Sequence, residues 1–182
     1  MRTIKRRSRQ LNKGKWDIAL GLTQTFAAEK DKWLCELSRR DNIDKIKPDR
    51  IYRDILVKSK YQSPFGLQAR QWKLAIKDAV ETLARSWQAL FVKLSPLIYN
   101  NTNLSDMQRH YCYWILKSYD RIKMLLMHDY PILDSNISEP EIKHAGNYLN
   151  RIIRKCRGKS PRVNGNRSFC LDQEMYTVFE DK

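Results

Sequence analysis

Two segments of this chain carry basic side chains with no carboxylate among them, and their chemistry suits a phosphate backbone. The first segment precedes Asp17, the first acidic residue, and the second runs from Arg151 to Arg167. Each phosphate neutralised by Lys or Arg releases condensed counterions, so such segments bind nucleic acid strongly and in a salt-dependent way. The basic residues are Arg2, Lys5, Arg6, Arg7, Arg9, Lys13 and Lys15 in the first segment, and Arg151, Arg154, Lys155, Arg157, Lys159, Arg162 and Arg167 in the second.

The charge of the whole chain favours the same kind of partner. Its 182 residues include 35 Lys plus Arg and 20 Asp plus Glu, which gives a net charge of +15. An excess of that size indicates a polyanionic partner or an anionic surface. No stretch approaches the roughly 20 consecutive apolar residues of a membrane-spanning helix, and no apolar run follows the basic N-terminus as in a signal peptide. We therefore expect a soluble, intracellular protein that binds nucleic acid.

Catalytic motifs are absent from the sequence. It contains no phosphate-binding loop of the form GxxxxGK[ST], no GxGxxG, no HExxH and no GxSxG. The three histidines, His110, His128 and His144, have no carboxylate at metal-ligand spacing, and Asp129 beside His128 is only a sequence neighbour. The carboxylates show no clustering typical of a two-metal nuclease. We expect no catalytic residues, no metal and no cofactor in this chain.

The four cysteines do not form a recognisable site. Cys35, Cys112, Cys156 and Cys170 lie far apart and make no CxxC pair. This spacing predicts neither a zinc site nor a disulfide framework. Free cysteine behaves as a small hydrophobic residue, so buried thiols are the expectation.

The middle of the chain shows helical periodicity. Apolar residues from Trp16 to Leu37 recur at three- and four-residue steps, which predicts a helix that ends near Ser38. Asp49 is expected to cap a short helix that runs through about Lys58. All five tryptophans fall on apolar stripes, so core packing is preferred over base stacking for them. They are Trp16, Trp33, Trp72, Trp87 and Trp114. Tyr61, Tyr99 and Tyr148, beside basic or polar turns, are better candidates for stacking on bases.

Three further helices are predicted after that point. Ser63 and Pro64 favour the start of a long central helix whose apolar stripe continues until Pro96. Ser105 or Asp106 can cap a fourth helix that continues until Pro131 stops it. A capping box, Ser138 to Glu141 with a proline inside the first turn, begins a fifth helix that leads into the second basic segment. Some of the basic residues in the last turn of this helix can interact favourably with the negative end of its dipole.

The central helix also carries basic residues beside its apolar stripe. Arg70, Lys73 and Lys77 cluster on one flank of the stripe. They could offer cationic groups to a ligand along that edge of the helix. An ordinary solvated flank explains them equally well.

The two ends of the chain read as short strands. Residues 2–9 mix Thr and Ile with long basic side chains, and residues 169–179 are rich in aromatic and β-branched types. We predict a mainly α (α+β) fold, a helical bundle-like lobe inserted between short N- and C-terminal β-strands. The domains are residues 1–12, a basic strand of a split β domain; 13–157, the helical lobe; and 158–182, a basic linker with returning strands. A terminal strand left unpaired indicates that the chain is the front of a longer protein.

The order of these elements resembles a known family. Phe65-Gly66-Leu67-Gln68 opens a helix that continues through Asp78 and Trp87, and a strand follows around Ser168-Phe169. This pattern resembles the N-terminal half of TnpB-like proteins, the transposon-encoded relatives of type V CRISPR effectors. The resemblance implies a wedge domain split around a helical recognition lobe. It covers nearly the whole chain with a loose pattern.

The resemblance implies binding of a guide RNA and of its heteroduplex with target DNA. Gln68, Arg70, Lys73 and Lys77 would face the heteroduplex near its start, while the two basic segments would hold the RNA scaffold. The family's RuvC-like nuclease and zinc ribbon have no counterpart here, so this chain is expected to bind and not cut, with a nuclease half acting in cis or in trans. The alternative is a small basic DNA-binding or regulatory helical protein.

Overall fold

The computed structural model describes residues 13–133 and 137–163, and within them the protein consists of helices joined by loops and turns. The elements are α1 (Lys13–Leu37), a 3-10 helix (Arg40–Lys45), α2 (Pro48–Ile51), a π-helix that continues it (Tyr52–Val57), α3 (Ala69–Tyr99), α4 (Asp106–Leu116), α5 (Tyr119–Leu126) and α6 (Glu139–Arg157). The mainly α fold class is confirmed. The strands predicted at residues 2–9 and 169–179 lie outside the described residues.

The two longest helices, α1 and α3, pack side by side and run in the same direction. Lys30 of α1 forms an ion pair of 2.8 Å with Asp78 of α3. Further along both helices, Arg157 contacts both Ser38, just beyond the end of α1, and Trp87 of α3. Because the helices are parallel, the chain must return between them, and the 3-10 helix, α2 and the π-helix form that return.

Helix α6 lies against α3 in the opposite direction. The Tyr148 hydroxyl of α6 donates a 2.7 Å hydrogen bond to the Leu97 carbonyl, whereas Arg157, later in α6, reaches Trp87, earlier in α3. The face that α6 turns to the core carries Ile142, Ala145, Leu149 and Ile152, as the periodicity predicted. These contacts fix the position of the basic end of α6 relative to α1 and α3.

The buried stripe of α3 forms the centre of the core. The large side chains on it stabilise the fold by about 1.5–3 kcal/mol each on burial. Its buried residues are Trp72, Ala75, Ile76, Ala79, Val80, Leu83, Trp87, Leu90, Leu94 and Ile98. The prediction that the helix stops at Pro96 is wrong, since α3 passes through Pro96 to Tyr99. Proline leaves the Val92 carbonyl without its helical partner, but Val92 is 75% exposed, so water can solvate that carbonyl.

The predicted start of α3 at Ser63 and Pro64 is also wrong. The segment forms a turn closed by a 3.2 Å bond from the Gly66 N–H to the Ser63 carbonyl, and Gly66 has a φ of 74°. The helix begins at Ala69, where the Gln68 N–H donates to the Gln71 side chain at 3.1 Å. The positive φ at Gly66 is unfavourable for other residues and interrupts any helix that would begin earlier.

A buried carboxylate explains why the segment before α3 stays on α1. Glu29 is fully buried and accepts hydrogen bonds from the Tyr61 hydroxyl at 2.6 Å, the Ser63 hydroxyl at 2.6 Å and the Trp33 indole N–H at 2.7 Å. Burial and the bond to Glu29 raise the pKa of Tyr61. Tyr61 is therefore a structural residue and not a free stacking platform. Local sequence patterns do not indicate that Glu29 is buried, because its partners are up to 34 residues away.

The single helix predicted from residue 106 to about 130 is two helices. Helix α4 begins with Ser105 at its N-cap, as predicted, but ends at Leu116, and Ser118 is extended with a φ of −142°. Arg121 of α5 donates to the Trp114 carbonyl at 2.6 Å, which satisfies a group at the end of α4. The break lets α5 pack against the 3-10 helix, where Lys123 pairs with Asp44 at 3.2 Å, and against α2, where Asp120 accepts from Arg50 at 2.7 Å.

The capping box of α6 is present as predicted. The Ser138 N–H and hydroxyl both donate to the Glu141 carboxylate, at 3.0 and 2.7 Å. These hydrogen bonds lower the pKa of Glu141. Gly158, with a φ of 67°, ends the helix. Helix α6 thus has acidic residues in its first turn and basic residues in its last, which complements its dipole.

Three other expectations are corrected by the structure. Trp16 is 57% exposed because it precedes the part of α1 that faces α3: with Lys30 opposite Asp78, Ala69 at the start of α3 lies opposite about Gly21. Cys35 is exposed, whereas Cys112 is buried as expected. The short helix begins with Pro48 in its first turn and Lys47 at its N-cap, so Asp49 does not cap it.

Within the described residues, no helix has the length and apolar character needed to cross a bilayer.

Candidate nucleic-acid interface

The last turns of α6 and the residues after it present a run of cations, here named the α6 basic end. Its members are Arg151, Arg154, Lys155, Arg157, Lys159 and Arg162. All except Arg157 are exposed. The core-facing stripe of α6 ends with Ile153 and the half-buried Cys156, so the intervening positions face outward. The amphipathic pattern of the helix therefore places these cations on the surface.

None of these six cations has a carboxylate partner in the part of the chain that the structure describes. Some exposed cations elsewhere in the fold are paired, such as Lys58 with Asp54 at 3.5 Å, whereas others, such as Lys77, Lys93 and Lys143, have no such partner among the described residues and are scattered along different helices. The α6 basic end therefore keeps positive charge that can interact with an anionic ligand.

Arg157 is engaged inside the fold. Its guanidinium lies 4.8 Å from the centroid of the Trp87 ring and donates to the Ser38 carbonyl at 2.7 Å. Burial, followed by the charge of nearby Arg40, lowers the pKa of Arg157. Arg40 is exposed at the start of the 3-10 helix, so the packing adds to the α6 basic end a cation that is far away in sequence. Sequence reasoning missed Arg40.

Arg154 is held by a neutral histidine. Its guanidinium lies 3.0 Å from Nε2 of His128, and since arginine can only donate, Nε2 must accept. The proton of His128 then sits on Nδ1, which lies 3.3 Å from the Tyr130 hydroxyl. That hydroxyl donates to the Asn147 amide oxygen at 2.5 Å. The network orients Arg154 without neutralising its charge.

The α3 flank predicted from the sequence lies earlier along α3 than the contact with the end of α6. Lys77 is exposed, Arg70 and Lys73 are half-buried, and the Lys73 carbonyl accepts from the Tyr52 hydroxyl at 3.5 Å. Lys77 precedes Trp87, which Arg157 contacts, by ten residues, or about 15 Å of helix. The residues after α6 run back toward the flank, since the Val163 N–H, next to Arg162, donates to Asp31 at 2.9 Å and Lys30 pairs with Asp78, next to Lys77. Gln68 sits at the helix cap described above.

A cavity that is open to solvent lies beside the α6 basic end. It has a volume of about 270 Å³ and is formed between the turn that follows α3 and one side of α6. The residues around it are Asn101, Asn103, His144, Asn147, Tyr148 and Arg151. Sequence reasoning treated the asparagines only as turn formers and missed the cavity. Of its residues, it had selected only Tyr148 and Arg151.

Several predicted contacts fall outside the described residues. These are Arg2, Lys5, Arg6, Arg7, Arg9 and Arg167. Within residues 13–133 and 137–163, no group of three His, Cys, Asp or Glu side chains is arranged to hold a metal ion.

Comparisons of this chain with protein-family models, with curated proteins and with solved structures find no match.

Proposed function

We propose that this chain binds nucleic acid through the phosphate backbone, with the α6 basic end as a principal contact surface. The observation that carries the proposal is the group of exposed cations in the last turns of α6, Arg151, Arg154 and Lys155, without carboxylate partners among the described residues. A cation with no carboxylate partner loses no ion pair when it binds a phosphate. The net charge of +15 adds a long-range attraction for polyanions.

A more specific hypothesis is that the bound nucleic acid is a guide RNA and its heteroduplex with target DNA, in a non-catalytic front half of a TnpB-like protein. It rests on the resemblance of the sequence pattern around Phe65 to Gln68. The α3 flank would then contact the heteroduplex while the α6 basic end holds RNA. The alternative, a small basic DNA-binding or regulatory protein, needs only phosphate contacts to duplex DNA.

Binding across a salt series tests the general proposal. Fluorescence anisotropy would compare a structured RNA from the chain's own locus with random duplex DNA of equal length. We expect log affinity to fall linearly with log salt, and each of Arg154→Ala and Lys155→Ala to reduce the slope by about one. The matched control is Lys58→Ala, which removes the same charge from a cation paired with Asp54.

The outcomes separate the hypotheses. Preference for the structured RNA supports the guide-binding hypothesis, and equal affinity for both supports the DNA-binding alternative. Binding that does not weaken with salt, or a salt slope that Lys58→Ala changes as much as Lys155→Ala, would rule out the α6 basic end as the phosphate contact.

A further inference from the structure

The cavity beside the α6 basic end is built by residues from two parts of the chain. His144, Asn147, Tyr148 and Arg151 have the spacing i, i+3, i+4 and i+7, which puts them on one side of α6. The turn after α3 closes the cavity with Asn101 and Asn103. The hydrogen bond from Tyr148 to the Leu97 carbonyl, 2.7 Å long, ties the two parts together. The cavity therefore has a defined wall made by an aromatic ring.

The ring of Tyr148 is suited to stacking. Its hydroxyl is already bonded to Leu97, which fixes the orientation of the ring. The Arg151 guanidinium lies 5.6 Å from the centroid of the same ring. Aromatic rings and guanidinium planes are the surfaces on which unpaired nucleobases stack.

The asparagines supply groups that can bind the edge of a base. The Asn101 amide oxygen accepts from the Asn103 backbone N–H at 3.0 Å, and the Asn147 amide oxygen accepts from Tyr130. Each of these oxygens is held by one hydrogen bond, and the amide N–H donors of Asn101 and Asn147, which bond to no described residue, can donate to a ligand. The side chain of Asn103 makes no hydrogen bond with the described residues and keeps both a donor and an acceptor. Carboxamides of this kind are the side chains that pair with base edges.

The size and charge of the cavity indicate which class of ligand it can bind. Pockets for drug-sized ligands hold about 300–1,000 Å³, so about 270 Å³ suits a single ring system. A phosphate alone would be served by several cations, whereas this cavity has only Arg151 among its lining side chains as a permanent charge. Among the described residues, no carboxylate lines it. The mixture of amides, imidazole and an aromatic ring fits an aromatic ligand that carries hydrogen-bonding edges.

We infer that this cavity holds one unpaired base of a bound nucleic-acid strand. The inference rests on the proposed function, because the strand would be delivered by phosphate contacts at the α6 basic end. Arg151 belongs to both surfaces, and Arg154 follows it by one helical turn. A strand that runs along α6 can therefore place its backbone on Arg154 and turn a base onto Tyr148.

The test compares a single-stranded RNA of mixed sequence with a strand of equal length in which abasic sites replace the bases. The two strands carry equal phosphate charge. We expect the wild-type chain to bind the base-bearing strand on the order of tenfold more tightly, and Tyr148→Leu to abolish that preference. Tyr148→Phe keeps the ring and is expected to retain most of it.

A second pair of variants does not depend on the packing of Tyr148. Asn103 is exposed, so Asn103→Ala should fold normally, and we expect it to reduce the discrimination among homopolymer strands severalfold. Asn100→Ala, in the same turn but outside the cavity, is the control and should leave discrimination unchanged. Equal affinity for base-bearing and abasic strands, with a steep salt slope, would overturn the base pocket and leave phosphate binding intact. Absence of binding to every strand would overturn both.

Discussion

The guanidinium of Arg157 lies over the indole ring of Trp87, 4.8 Å from its centroid, on the inner side of the α6 basic end. The same guanidinium donates to the Ser38 carbonyl and so connects α6, α3 and the end of α1. Two cations in the last turn of α6 thus have different roles. Arg157 stabilises the packing, and Arg154 remains exposed for a ligand.

These different roles predict that Arg157→Ala mainly lowers stability, whereas Arg154→Ala mainly weakens nucleic-acid binding. Arg157→Ala is expected to lower the free energy of unfolding by about 1–2 kcal/mol, because it removes a partly desolvated cation–π contact and a hydrogen bond. Arg154→Ala should change stability by less than about 0.5 kcal/mol but weaken nucleic-acid binding. Urea unfolding and anisotropy measured on both variants check the prediction. Equal destabilisation by the two substitutions would contradict it.

The helices could be predicted from the sequence because their signals are local. The apolar periodicity of α1, the Ser105 cap of α4 and the Ser138 capping box of α6 all act within one or two turns. The errors occurred where a distant residue decides the local structure. Glu29 binds the segment that was expected to begin α3, and the contact of Lys123 in α5 with Asp44 in the 3-10 helix accompanies the break at Ser118.

The candidate site was only partly predictable for the same reason. The sequence identified the cations of α6 from their charge alone. It could not show that Arg40 joins them or that Trp87 engages Arg157, because those contacts depend on how α1, α3 and α6 pack. The cavity required the turn after α3 to meet α6, a contact that spans Asn103 to His144 in sequence.

Gly146 lies close to the ring of Tyr130, so we expect the effect of Gly146→Ala on stability to change sign when Tyr130 is also replaced. A Cβ at Gly146 would lie 2.5 Å from the Tyr130 ring, which is held by hydrogen bonds to His128 and Asn147. Gly146→Ala should therefore destabilise the protein, although alanine favours a helix by about 0.8–1.0 kcal/mol over glycine. In a Tyr130→Ala background the same change should stabilise it. Thermal unfolding of the four variants gives the coupling, and additive effects would refute the contact.

The buried carboxylate Glu29 predicts a stability loss from a nearly isosteric change. Glu29→Gln is expected to lower the free energy of unfolding by about 1–3 kcal/mol, since a carboxamide has one acceptor oxygen where Trp33, Tyr61 and Ser63 donate to two. Glu81→Gln is the control, because Glu81 is half exposed and forms a 3.7 Å surface pair with Arg85. Chemical unfolding compares the two. A loss no larger for Glu29→Gln than for the control would show that the network is not stabilising.

Lys77 and Lys155 test whether the α3 flank takes part in binding. The two residues lie on different helices and share no partner among the described residues, so if both contact one nucleic acid their effects should be independent. Each substitution to Ala would then reduce the salt slope by about one, and the double variant by about two. If the flank is only solvated, Lys77→Ala will match Lys58→Ala. The same anisotropy series measures all four variants.

Alkaline pH is expected to destabilise the fold through Cys112. This thiol is fully buried in α4, and burial raises its pKa from 9.0 to about 12. The unfolded thiol loses its proton above pH 9.0, whereas the folded thiol keeps it, so the stabilisation is complete below pH 9.0 and is lost as pH rises toward about 12. Burial also raises the pKa of Tyr111, which acts in the same direction.

In that pH window, the ionisation of Cys112 in the unfolded chain is expected to lower the free energy of unfolding by about 1.4 kcal/mol per pH unit. Urea unfolding at a series of pH values should show a shallower decline for Cys112→Ala than for the wild-type chain. Cys35→Ala is the matched control, because Cys35 is exposed and its removal should leave the decline unchanged. If the Cys112→Ala and wild-type curves stay parallel from neutral pH to about pH 11, the thiol does not couple to folding and the decline must come from tyrosine and lysine ionisation.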